Sequence, residues 1–150
     1  LALPDGPVAR VSSGSNNHSN RGDDRGGQDR LYATPGREGE LWLAAFHGLY
    51  RAADGGAFKR LPGVSEIHAF GFGRAAPGQS DPALYLVGTV GGRYGVFRSI
   101  DGGASADGWQ RINDDAHQWG LILQVSGDPK VFGRVYVGTH GRGVQYGDPH

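Results

Sequence analysis

From residue 31 onward, short apolar runs alternate with turn signals along this chain. Leu41-Trp42-Leu43, Leu84-Tyr85-Leu86 and Val135-Tyr136-Val137 are three copies of an aliphatic–aromatic–aliphatic triplet. Each follows a Gly- or Pro-containing turn: Pro35-Gly36, Pro77-Gly78 and Gly127-Asp128-Pro129. Each then leads through a glycine into a second run, Gly48-Leu49-Tyr50, Gly95-Val96-Phe97 and Gly143-Val144-Gln145-Tyr146. Short β-prone runs separated by Gly and Pro predict hairpins, and no window sustains the 3.6-residue period of an amphipathic helix. The pattern predicts an all-β chain.

The runs repeat as larger units. Val96-Phe97-Arg98-Ser99-Ile100-Asp101-Gly102-Gly103 has an earlier counterpart in Gly48-Leu49-Tyr50-Arg51-Ala52-Ala53-Asp54-Gly55-Gly56, and the two aspartates lie 47 residues apart. That period belongs to a four-stranded propeller blade of roughly 40–50 residues. The expected fold is an incomplete β-propeller of about two and a half to three four-stranded blades. Residues 1–11 resemble the tail of a preceding blade, since Leu3-Pro4-Asp5-Gly6 is similar to Leu61-Pro62-Gly63. Residues 12–30 are a low-complexity stretch of Ser, Asn, Gly, Arg and Asp, expected to be a flexible insertion because it has too little apolar surface to bury. Its Arg21-Gly22-Asp23 and Asn17-His18-Ser19 follow from that composition. Residues 31–150 carry the blades.

Composition sharpens this picture in a few places. Among 150 residues, 28 are Gly and 8 Pro, as a many-turned β protein requires, and 10% are aromatic, enough to anchor short strands. With 15 basic and 15 acidic residues the net charge is zero. No basic face is available for nucleic acid or an anionic membrane, so a neutral substrate or a protein partner is expected. There is no Cys, which excludes disulfides and Cys-ligated metal. No apolar stretch approaches the ~20 residues of a membrane span. The chain starts at Leu1 and contains no Met, so it is expected to be a piece of something longer.

Ser99-Ile100-Asp101-Gly102-Gly103 followed by Trp109 resembles an Asp-box (BNR) hairpin, Ser-x-Asp-x-Gly-x-x-Trp. In such a turn the carboxylate accepts backbone N–H bonds, a glycine takes a positive φ and the aromatic packs beneath. Both copies depart from the pattern: Trp109 lies eight residues after Asp101, Phe58 only four after Asp54, and Ala52 replaces the serine. Asp54 and Asp101 are therefore expected to cap turns rather than to catalyse.

The run Asn113-Asp114-Asp115-Ala116-His117-Gln118-Trp119-Gly120 is a dense polar cluster bearing an indole. Trp119 could stack on a sugar ring while His117 and Gln118 bond its hydroxyls. The alternative is a polar knot that fixes one blade to the next. Asp114 and Asp115, adjacent in sequence, point different ways and make a poor acid–base pair. The six His residues show no paired ligand spacing, so no metal site and no cofactor is expected.

Residues 35–44 and 72–80, and the stretches Arg111-Ile112-Asn113-Asp114-Asp115, Gly141-Arg142-Gly143 and Tyr146-Gly147-Asp148, resemble the end of the xyloglucan hydrolases of glycoside hydrolase family 74. The similarity covers residues 31–149, and its Arg-Ile-Asn-Asp-Asp-x-His-Gln-Trp-Gly run is more specific than any Asp-box. The resemblance implies two seven-bladed propellers facing each other across a cleft for a branched β-1,4-glucan. It also implies two aspartates acting as acid and base with inversion, both preceding the matched region, so no catalytic residue is assigned. The candidate substrate-binding residues are His117, Gln118 and Trp119. The implied partners are a plant cell-wall polysaccharide, xyloglucan or a related β-1,4-glucan, and the missing N-terminal propeller blades, with no nucleic acid and no membrane. The implied location is extracellular. A non-catalytic carbohydrate-binding or scaffold propeller, or a protein-binding Asp-box propeller, remains the alternative to a part of a hydrolase.

Overall fold

The structure, a computed structural model, describes residues 30–117 and 119–149. The expected blade tail and residues 12–29 of the low-complexity stretch lie outside the described residues. Among the described residues every regular element is a strand, and the strands form three antiparallel sheets. The first comprises β1 (Arg30–Ala33), β2 (Leu41–Ala45), β3 (Gly48–Ala52) and β4 (Lys59–Arg60), hydrogen-bonded in sequence order. The second repeats this with β5 (Val64–Gly73), β6 (Ala83–Val90), β7 (Arg93–Ser99) and β8 (Trp109–Arg111). The third holds β9 (Ile122–Gly127), β10 (Val135–Thr139) and β11 (Val144–Gly147). Two four-stranded meanders and one of three strands are the predicted two and a half to three blades of an incomplete propeller.

The repeated triplets land where the pattern requires them. Each forms the second strand of its sheet, and each following run forms the third. Because side chains alternate across a strand, β6 serves two cores at once. Leu84 and Leu86 face the first sheet with Trp42, Leu49, Phe70 and Trp109. Tyr85 and Val87 face the third with Ile122, Val125 and Val137. All four β6 side chains are fully buried. Residues 84–87 therefore show no polar alternation: a sheet covered on both faces needs apolar residues at every position. Each such aliphatic side chain contributes roughly 1.5–3 kcal/mol by burial.

The sheets approach closely at their first strands. A Cβ placed on Gly73 would lie 2.7 Å from Tyr85 Cε2 and 2.8 Å from Gly127 Cα, so β5 and β9 meet glycine to glycine with the Tyr85 ring beside them. Within the first sheet, a buried polar chain locks the turn before β2. Trp42 Nε1 donates to Thr34 Oγ1 (2.8 Å), Thr34 Oγ1 donates to Glu40 Oε1 (2.7 Å), and Arg51 donates to Glu40 Oε2 (2.6 Å). Burial opposes ionisation of Glu40, but the bonds from Arg51 and Thr34 outweigh it and hold the carboxyl below its ordinary value.

The two Asp-Gly-Gly turns differ. At Asp101 the expected cap forms: Gly103 N–H donates to Asp101 Oδ1 (3.0 Å) and to Ser99 Oγ (3.0 Å), and Ser99 Oγ bonds Asp101 Oδ1 (2.6 Å). At Asp54 it does not, which corrects the expectation of a cap there. The left-handed pair is Gly102-Gly103 in one turn but Asp54-Gly55 in the other, with φ of 52° and 70°. The earlier turn is thus shifted by one residue, and Gly56 N–H bonds Ala53 O (2.8 Å) instead. With Ala52 in place of the serine, the carboxylate has no turn to bridge.

Candidate functional site

The polar cluster occupies the connection from β8 to β9 and stays attached to the sheet after β8 has ended. Ile112 N–H donates to Val96 O (2.8 Å), and Val96 N–H donates to Asn113 Oδ1 (2.8 Å), so Asn113 extends the β7 pairing with its side chain. The other end of that amide donates to Asp114 O (3.2 Å) and His117 O (3.3 Å), folding the loop back on itself. Asp114 Oδ1 accepts the His117 N–H (2.7 Å) and lies 2.7 Å from its Nδ1. These bonds, the His117 side chain foremost, hold the Asp114 carboxyl below its ordinary value. Asp115 turns the other way, onto Arg111 (2.7 Å). The two adjacent carboxylates diverge, as their spacing predicts.

Trp119 is half-buried. Its ring packs beside the core between the second and third sheets and lies 6.3 Å from the exposed His117 ring, tilted by 40°. It lines a cleft of about 70 Å³ with Val96, Ile112, Val135 and Val137. The structure therefore brings His117 and Trp119 together, and Gln118 lies outside the described residues. The cluster divides by role: Asn113 and Arg111 bind the loop to its own blade, while His117 and part of Trp119 face outward.

A neighbouring group carries no motif. His68 on β5 sits edge-on between Phe46 (5.8 Å) and Tyr94 (5.8 Å), its Nε2 is 2.9 Å from Glu66 Oε1, and Thr89 Oγ1 donates to Glu66 Oε2 (3.0 Å). Tyr94 lies two residues from Val96, which Asn113 holds, so this ladder adjoins the loop. His68 and Glu66 stand on β5, Thr89 on β6, Tyr94 on β7 and Phe46 in the β2–β3 turn, so only the pairing and packing of two sheets assembles them.

No protein-family model matches the chain. It is 50% identical over 130 residues to a xyloglucanase of Paenibacillus sp, an alignment covering 82% of this chain and 12% of that protein. It is 48% identical over 124 residues to the xyloglucanase Xgh74A of Acetivibrio thermocellus, covering 81% and 14%. The crystal structure of the GH74 xyloglucanase from Xanthomonas campestris superposes with a TM-score of 0.73 at 46% identity, over 82% of this chain and 17% of that one. The chain belongs to glycoside hydrolase family 74. It spans about one seventh or less of the curated relatives named here.

Within this GH74 segment several carboxylates have structural partners. Asp128 accepts from the N–H groups of Lys130 (2.7 Å) and Val131 (2.9 Å) and from the Tyr136 hydroxyl (2.8 Å). Those bonds, the Lys130 N–H first, lower its pKa. Asp148 pairs with Arg134 (2.6 Å), Asp101 with its own turn, and Glu40 with Arg51.

Proposed function

We propose that this chain is a C-terminal propeller portion of a secreted, inverting xyloglucan-degrading endo-β-1,4-glucanase, and that it contributes part of the glycan-binding cleft. The identity of about one half to proteins named as xyloglucanases carries the reading. The catalytic carboxylates lie outside this chain, on N-terminal blades that complete the propellers. His117, Gln118 and Trp119 contact the glycan, the indole as a platform and the other two through sugar hydroxyls. What supports this is the half-buried Trp119 ring beside an exposed imidazole on a loop that Asn113 anchors to β7. A rigidly held platform loses little entropy on binding.

The test is a titration of the chain with xyloglucan oligosaccharides, read from the indole resonances. Trp119→Ala should weaken binding about tenfold, the scale of losing a central aromatic anchor, and His117→Ala less. Binding unchanged by both substitutions would refute the assignment of the contact.

A further inference from the structure

Two histidines of this chain are held by carboxylates, and by opposite ring nitrogens. At His117, Asp114 Oδ1 lies 2.7 Å from Nδ1 and also accepts the backbone N–H of the same residue (2.7 Å). Asn113 Nδ2 donates to the His117 carbonyl (3.3 Å). The loop thus takes up the N–H, the C=O and one ring nitrogen of His117. Among the described residues Nε2 is left without a partner, on a side chain that is 65% exposed. We propose that Asp114 is a positioning residue: it fixes the His117 ring so that Nε2 meets the glycan as a hydrogen-bond acceptor, and the site recognises a sugar hydroxyl by the proton it donates. The proposal rests on the reading of this loop as a glycan contact.

An ionised carboxylate offers only lone pairs, so the contact to Asp114 places a proton on Nδ1. The neutral ring then has its lone pair at Nε2, which accepts a hydrogen bond and cannot donate one. Asp114 stays ionised, because its bonds to His117 hold the carboxyl below its ordinary value. His68 is the contrast within the same molecule. Its Nε2 faces Glu66 Oε1 (2.9 Å), which places the proton on that nitrogen. Its ring stands between Phe46 and Tyr94, and only 16% of the side chain is exposed. There the carboxylate holds a ring inside a packed ladder. At His117 it aims a ring outward, 6.3 Å from the half-buried Trp119 indole. The indole offers a flat apolar face and the imidazole an acceptor beside it. A ligand with the same carbon skeleton but no hydroxyl proton keeps the first contact and loses the second.

Nitrogen-15 spectra of the imidazoles in the full chain read the tautomers directly, since protonated and unprotonated ring nitrogens resonate far apart. At about pH 8.5, well above the ordinary histidine value, His117 should be the Nδ1–H form and His68 the Nε2–H form. Xyloglucan oligosaccharides should shift the His117 Nε2 and Trp119 indole signals together, and O-methylated oligosaccharides the indole alone. Asp114→Ala should mix the His117 tautomers and weaken binding about fivefold, the scale of one hydrogen bond. Asp114→Asn, which keeps an oxygen at that position, should restore most of both. His117→Gln, which has an acceptor, should bind better than His117→Lys, which only donates. An Nε2–H form of His117 in the parent, or an unchanged tautomer in Asp114→Ala, would overturn the proposal and leave the glycan contact standing. So would equal Nε2 shifts with the methylated sugar. Faster exchange of the Val96 N–H, which Asn113 holds, in Asp114→Ala would show a lost loop fold rather than a freed ring, and would overturn the positioning role. Oligosaccharides that shift neither signal while the tautomers are as stated would refute the glycan contact itself, and the acceptor role with it.

Discussion

At the scale of single residues, the two Asp-Gly-Gly turns show how one missing hydroxyl changes the work of a conserved-looking triplet. Asp101 bridges its turn because Ser99 shares the Gly103 N–H; Asp54 has Ala52 in that place and sits in the left-handed region itself. Asp101→Ala should lower stability by about 0.5–2 kcal/mol, the usual loss when a side-chain cap on backbone N–H is removed. Asp54→Gly should stay within about 0.5 kcal/mol of the parent, since glycine adopts that φ freely and no bond is lost. Urea denaturation of both variants compares them directly. The cap at Asp101 was legible from Ser-x-Asp-x-Gly; the one-residue shift at Asp54 was not, because it depends on backbone angles that the shared Asp-Gly-Gly does not specify. Glu40 gives the pH dependence. Its folded pKa is lowered, so its contribution is complete above the ordinary value of 4.5 and fades as pH falls through the lower folded value. The parent chain should lose stability over that acid range more steeply than Glu40→Gln, as melting temperatures measured from pH 6 to pH 3 would reveal.

At the scale of elements, the strands were largely readable in advance because triplet, glycine and turn recur in the same order in every sheet. Short strands with weak apolar content were harder: β4 is only Lys59–Arg60, both exposed, and exists because β3 offers it an edge. The close approach of β5 and β9 was also hidden, since a glycine in a strand does not announce what lies across from it. Gly73→Val should cost about 1–3 kcal/mol, the range for overpacking, because the new side chain meets the Tyr85 ring and the β9 backbone. A matching Gly78→Val, at a turn with open space but φ of 79°, would suffer from backbone strain alone. If Gly73→Val melted at the parent temperature, the glycine-to-glycine contact would not be the tight junction described here. The candidate site divides in the same way. Its polar run was visible as a motif, but the separation of Asn113 and Arg111 from His117 and Trp119 depends on where β8 ends. The His68, Phe46 and Tyr94 ladder had no local signal at all.

At the scale of the whole molecule, both outer faces of the three-sheet arc carry exposed apolar side chains. Leu31 on β1 is 65% exposed, and Val144 and Tyr146 on β11 are 72% and 69% exposed. Under the function proposed above, faces of this kind would pack against neighbouring blades of a propeller of four to eight blades. The same geometry bears on catalysis. Inverting hydrolysis needs a carboxylic acid and a carboxylate about 6.5–9.5 Å apart, flanking the glycosidic bond with room for water. The adjacent Asp114 and Asp115 are engaged separately by His117 and Arg111, Asp101 and Asp128 are consumed by turns, and Glu40 is buried under Arg51. Glu66 is bonded to both His68 and Thr89. Each of these carboxylates is thus engaged by a partner within its own turn, loop or sheet. Incubating the purified chain with xyloglucan should therefore release no reducing ends above a buffer control, even where oligosaccharide binding at Trp119 is measurable. Turnover lost on replacing any one aspartate within residues 31–149 would place a catalytic carboxylate inside this arc, and would reverse the assignment of that aspartate to structure.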